Sequence, residues 1–102
     1  KPVKDWFTLT SATPTVTVDG NDSKRFKLDP QHTPITIAFT NLEQHDLVLL
    51  KVRGHATNTV TLDSAVDGDA FVLPTDDTKA VLVSLIPEGS NIHASVMHEV
   101  AW

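Results

Sequence analysis

The chain has 102 residues and a mass of 11.1 kDa, enough for one domain around one core with little stability to spare. With 40% hydrophobic and 21% charged residues it has the composition of a folded domain, and no apolar run reaches the ~20 residues of a membrane helix. A formal charge of -5 argues against general affinity for nucleic acid or anionic membrane, and the lack of cysteine removes disulfide frameworks, thiolate zinc sites and cysteine nucleophiles.

Along the chain the dominant pattern is a period of two, which places one set of side chains on a core and the other in water. The opening residues, 1–13, predict a strand over 3–10 and read as an N-terminal arm, with Trp6 and Phe7 able to cover apolar surface elsewhere. Because the chain opens on Lys1 rather than Met, we expect an upstream segment in the native protein. Thr15–Val18 alternates Thr with Val and predicts a strand over 14–18. Asp19-Gly20-Asn21-Asp22 supplies positive φ and side-chain-to-backbone bonds, and is expected to close a hairpin. The next strand, over 25–29, carries the one dense basic group, Lys24, Arg25 and Lys27. With Asp22 and Asp29 beside it, this group reads as a solvated sheet edge.

Ile35, Ile37 and Phe39 share one face of a strand over 33–40. Asn41–Val52 has the best helical composition, but Leu47-Val48-Leu49-Leu50 is continuously apolar and runs into the turn Arg53-Gly54-His55. A short loop or single turn at Asn41–His45 and a buried strand over 46–53 fit better. Further strands are predicted over 57–62, 70–73, 79–86 and 91–101, with turns at Asp67-Gly68-Asp69 and Pro87-Glu88-Gly89-Ser90. Ile92, Ala94, Val96, His98, Val100 and Trp102 share one face of the last strand if it is regular. These segments predict an all-β fold: a single antiparallel β-sandwich or barrel-like domain of about eight or nine short strands over 1–102, with no internal repeat.

The residues offer little for catalysis, and we expect a non-enzymatic protein without cofactor or metal. Among the histidines, His93 and His98 differ by an odd number and point to opposite faces of a regular strand, while His32, His45 and His55 sit at or beside turns. Asp19, Asn21 and Ser23 have the spacing of a calcium loop. The positions where such a loop needs Gly and Glu hold Lys24 and Pro30. Asp63, Asp67 and Asp69, like Asp76 and Asp77, read as solvated turn carboxylates. None of Ser11, Ser23, Ser64, Ser84, Ser90 and Ser95 lies in a Gly-x-Ser-x-Gly elbow, and no glycine-rich phosphate loop is present.

Thr33-Pro34-Ile35-Thr36-Ile37-Ala38-Phe39-Thr40-Asn41, then Leu47–Val52, Thr59–Leu62, Lys79–Val83 and a closing strand ending in Trp102 form an order of segments. That order resembles the small β domains of tailed-bacteriophage virion proteins, found in fibres, appendages and capsid decoration proteins. The resemblance implies a trimeric or otherwise oligomeric structural module on the virion surface, binding a virion or capsid protein and itself, with no catalytic residues to carry over. The alternative is a carbohydrate- or receptor-binding module of a fibre or adhesin, for which Trp6 and Trp102 are the aromatic candidates.

Two predicted strands are apolar on both faces. Leu47 and Leu49 oppose Val48, Leu50 and Val52, while Val81, Val83 and Leu85 oppose Ala80, Leu82 and Ile86. A two-layer sandwich buries only the inward face of each strand, so Val48, Leu50, Val52, Leu82, Ile86 and Trp102 are the expected assembly interface. The arm over 1–13 is the alternative cover.

Overall fold

The computed structural model describes residues 6–10, 14–31 and 33–102. The expectations for Lys1–Asp5, Ser11–Thr13 and His32 lie outside the described residues. Nine strands form among the described residues: β1 Phe7–Thr8, β2 Thr15–Asp19, β3 Arg25–Leu28, β4 Ile35–Thr40, β5 Val48–Arg53, β6 Val60–Leu62, β7 Val66–Gly68, β8 Lys79–Glu88 and β9 Asn91–Ala101. No helix is present among them. The expected strand over 70–73 does not form, and the short β7 takes its place a few residues earlier.

The all-β reading stands, but the antiparallel sandwich or barrel does not. The chain coils as a short β-solenoid, delivering successive strands alternately to a larger sheet and a smaller one. In the larger sheet β1, β3 and β5 are parallel, with Phe7, Phe26 and Leu50 stacked in register. In the smaller sheet β2, β4 and β6 are parallel, stacking Thr15, Thr36 and Thr61 and also Val16, Ile37 and Leu62. The stacked positions are a structural repeat too degenerate in side chain and spacing to register as a sequence repeat. Thr36 and Thr61 bring their hydroxyls to 3.5 Å on the exposed side of this ladder, as do Thr33 and Thr59 at 3.4 Å.

The physical reason for the correction lies in the turns. Asp19-Gly20-Asn21-Asp22 does not reverse the strand within one sheet. It is a corner that carries the chain from β2 to β3, and Arg53-Gly54-His55 carries it from β5 towards β6. Asp19 Oδ1 accepts from the Asn21 N–H at 2.9 Å and from the Asn41 side-chain amide at 3.0 Å, which ties the corner after β2 to the corner after β4. Gly20 is required because the two corners touch: its N–H donates to the Thr40 carbonyl, and a Cβ would lie 2.2 Å from the Asn41 carbonyl oxygen. Asn41 itself has a φ of 56°, a conformation Asn tolerates better than most residues.

Coiling ends after β6. β8 pairs antiparallel with β5 and β9 antiparallel with β8, giving the larger sheet the order β1-β3-β5-β8-β9-β7. The β8–β9 connection is the one sequence-predicted turn that does form a hairpin, closed by Gly89 at a φ of 67° and Ser90. This hairpin covers the edge that β5 would otherwise leave open to pairing with another chain. The core lies between the two sheets: Phe26, Leu28, Leu50, Val52, Val81, Val83 and Leu85 from the larger meet Val16, Val18, Ile35, Ile37 and Val60 from the smaller. The described part of the N-terminal segment is an edge strand on β3, with Leu9 buried, rather than an arm folded across the sheet's outer face.

Candidate functional site

The outer face of the larger sheet carries the side chains that the core does not use. On β5 the buried positions are Val48, Leu50 and Val52, exposed by only 2%, 0% and 0%, so these three cannot form the assembly interface expected of them. Their alternates Leu49, Lys51 and Arg53 face outward. β8 is phased by its pairing with β5: Val81, Val83 and Leu85 lie opposite Val52, Leu50 and Val48, which leaves Leu82 and Ile86 half-buried on the outer face as expected. The signal that phases β5 was present in the sequence, because Lys51 and Arg53 share a parity with Leu49. Continuous apolarity over Leu47–Leu50 obscured it.

The outer face divides into two halves. Over β8 and β9, Leu82 lies opposite Met97 and Ile86 opposite His93, with Ser84 and Ser95 between them. Met97 is 59% exposed and Leu47, just before β5, is 50% exposed. His93 Nδ1 stands 3.4 Å from Asp67 on β7, at the far edge. This half is apolar with a hydroxyl centre.

Over β3 and β5 the face is basic. β3 is an interior strand between β1 and β5, not a solvated sheet edge, and it presents Arg25 and Lys27 outward while Phe26 and Leu28 enter the core. Register places Lys27 directly opposite Lys51 and Arg25 opposite Leu49. Trp102 completes the cluster. The regular stripe expected along β9 is broken by a register shift opposite Ala80–Leu82, with Glu99 at a φ of 56°. Ala94 is buried and Ile92 and Val96 pack against the core, whereas the Trp102 ring lies among the outward cations. Its centroid is 5.5 Å from Lys27 Nζ, 5.7 Å from Lys51 Nζ and 5.7 Å from Arg53 Cζ. The Trp102 N–H donates to the Thr78 carbonyl at 3.2 Å, which fixes the backbone beneath the ring. Arg53 is held by Asp29 Oδ2 at 3.1 Å and donates through Nε to the Asp77 carbonyl at 2.7 Å. At the neighbouring edge the Arg25 guanidinium lies 5.9 Å from the Trp6 ring centroid.

No family model, curated protein or solved structure matches the chain. Two shallow depressions of about 310 and 350 Å³ flank Phe71 beside β6, the first reaching Asp63 and Asp69, the second reaching His55 and Leu73. The polar groups there serve the backbone. Asp63 Oδ1 accepts from the Ala65 N–H at 2.9 Å and Asp69 Oδ2 from the Val96 N–H at 3.0 Å. His55 Nδ1 accepts from Thr57 and Asn58 N–H at 3.1 and 2.9 Å, making this imidazole a turn anchor. The Asp63–Asp69 segment thus turns its three carboxylates to three separate tasks, and no group of three His, Asp or Glu side chains converges on one point among the described residues.

Two carboxyl groups sit below the usual carboxylate range. Asp19 is lowered by the Asn21 N–H and then by the Asn41 amide. Asp76 is lowered by the Thr78 hydroxyl and then by the Thr78 N–H. In both the charged form is the better hydrogen-bond acceptor, and both stabilise turns rather than poise a group for proton transfer.

Proposed function

We propose that this chain is a non-enzymatic assembly module that docks through the outer face of its larger sheet, in the manner of a capsid decoration or head-fibre domain of a tailed-phage virion. The observation that carries the reading is the apolar half of that face. Leu82 and Met97 lie side by side, Ile86 and Leu49 flank them half-buried, and Met97 stands 59% exposed. Large apolar groups gathered on one flat sheet face are a feature of surfaces that meet another protein. The virion assignment and the trimeric state rest on the resemblance of the strand segments, and the partners it implies are a second copy and a shell protein. A rigid coil of hydrogen-bonded parallel strands suits such a role, because its faces are fixed before docking and little ordering entropy is spent on contact.

Light scattering across a dilution series tests the self-association, with pull-down on purified phage shells testing the shell partner. A mass well above 11.1 kDa that falls to the monomer in a Leu82→Lys, Met97→Glu double variant is the expected result. A monomeric mass at high concentration, with no retention on shells, overturns the reading.

A further inference from the structure

We infer that the basic half of the outer face, over β3 and β5, binds an acidic polysaccharide, with Lys27, Lys51 and Arg53 taking its carboxylates and Trp102 the apolar side of a sugar ring. The first reason is electrostatic. Like charges directly opposite one another on neighbouring strands are destabilising, and register sets Lys27 against Lys51. Arg53 follows Lys51 on the same face at roughly 7 Å, two strand rises on. The three cations converge on one ring in a chain whose formal charge is -5. Of the three, Arg53 has a carboxylate in ion-pair contact, Asp29. Among the described residues Lys27 and Lys51 have none. The ring attracts each cation weakly and leaves the net charge unchanged. A concentration of positive charge maintained against its own repulsion is what an anionic ligand would neutralise.

The second reason concerns which anion. β3 is paired on both sides by β1 and β5, and β5 by β3 and β8, so the in-plane backbone groups of these strands face paired neighbours and not an open edge. An acidic peptide cannot add to the sheet here as an extra strand, the mode in which extended peptides usually gain backbone hydrogen bonds. The depressions beside Phe71, where a small metabolite would be enclosed, are lined by none of Lys27, Lys51, Arg53 and Trp102. What the face offers is a half-buried indole with three cations held over its ring, so that a sugar would stack on the part of the ring they leave open. That combination matches a sugar that has an apolar C–H side for stacking and a carboxylate for charge-assisted hydrogen bonds. Duplex nucleic acid needs a longer basic track to release many counterions than three side chains supply. The site lies beside the apolar strip over β8 and β9 and does not depend on it.

The test is a titration of the full chain with oligogalacturonate, followed by calorimetry and by indole fluorescence in a Trp6→Phe background. The chain has two tryptophans, so Trp102 is then the sole reporter. The expected result is binding with a change in Trp102 emission, weakened by salt, with no binding of neutral galactan oligomers of equal length. Lys27→Gln with Lys51→Gln should lower the affinity by about tenfold or more while the melting temperature holds or rises, because the cross-strand repulsion is gone. Absence of oligogalacturonate binding overturns the inference, as does equal binding by the double variant. Equal affinity for polyglutamate or single-stranded DNA also overturns it, by showing that the patch reads bare charge. Because Leu82 lies opposite Lys51, an uncharged Ile86→Ser, Met97→Ser variant separates the two readings: loss of self-association there with sugar binding retained shows that they stand or fall independently.

Discussion

Replacing Leu50 with alanine separates a core role from an interface role for β5. Leu50 has no exposed surface and lies in register between Phe26 on β3 and Val83 on β8, both equally buried. Backbone hydrogen bonding on both sides of β5 restricts how far the strands can close around the cavity. Leu→Ala changes at buried sites cost about 2–5 kcal/mol, and a site held this rigidly belongs in the middle of that range, at about 3–4 kcal/mol. For a domain of this size the loss lowers the melting temperature by about 12 °C or more. Thermal unfolding followed by far-UV circular dichroism is the assay, run at several protein concentrations beside a Leu49→Ala control. Leu49 is half-buried on the outer face, and its truncation should cost less than about 1 kcal/mol. A core side chain destabilises independently of concentration, whereas an interface side chain acts through association and makes the midpoint concentration-dependent. A Leu50→Ala loss under about 1 kcal/mol, or a larger effect from Leu49→Ala, would refute the assigned phase of β5.

Gly20→Ala drives a methyl into the backbone carbonyl of Asn41, which has no rotamer with which to yield, so a loss of about 1–3 kcal/mol is expected in urea unfolding. Acidification should lower the melting temperature through Asp19 and Asp76. Their folded pKa values lie below the unfolded ones, so their contribution is present at neutral pH and is lost as pH falls below about 4. Asp76→Ala should flatten that decline, and an unchanged acid slope would contradict the hydrogen bonds assigned to it. Lys24 contacts both Asp46 and Glu43 on the surface, and a double-mutant cycle between Lys24 and Asp46 should return a coupling under about 1 kcal/mol.

Strand existence was legible in the residues because alternation of Val16 and Val18, or Ile35 and Ile37, with threonine reports directly on which side chains face a core. The hairpin at Gly89 was legible for a local reason too, since the Glu88–Asn91 pairing and one positive φ, at a glycine, define it. Strand direction was not legible. A period of two is the same for parallel and antiparallel neighbours, and Asp19-Gly20-Asn21-Asp22 serves equally as a reversal within a sheet or as a corner between sheets. In the coil that corner meets the next one, through Gly20 N–H to the Thr40 carbonyl and the Asn41 amide to Asp19, contacts that a reversal within one sheet would not make. The phase of β5 was legible only through Lys51 and Arg53, which mark the outward parity that they share with Leu49; the continuous apolar run Leu47–Leu50 masked it, and pairing with Phe26 and Val83 shows Leu50 in the core. The basic half of the outer face is the clearest case. Lys27, Lys51, Arg53 and Trp102 come from three separate segments, and the segment carrying Lys27 reads alone as an ordinary charged edge. By itself the sequence determined an all-β chain and the inward face of its Thr-alternating strands, because burial there is written in local alternation, whereas it misassigned the core residues Val48, Leu50 and Val52. Which strands lie side by side, and so which charges meet around one indole ring, only the tertiary structure decided, because register between distant segments is a property of the packed coils.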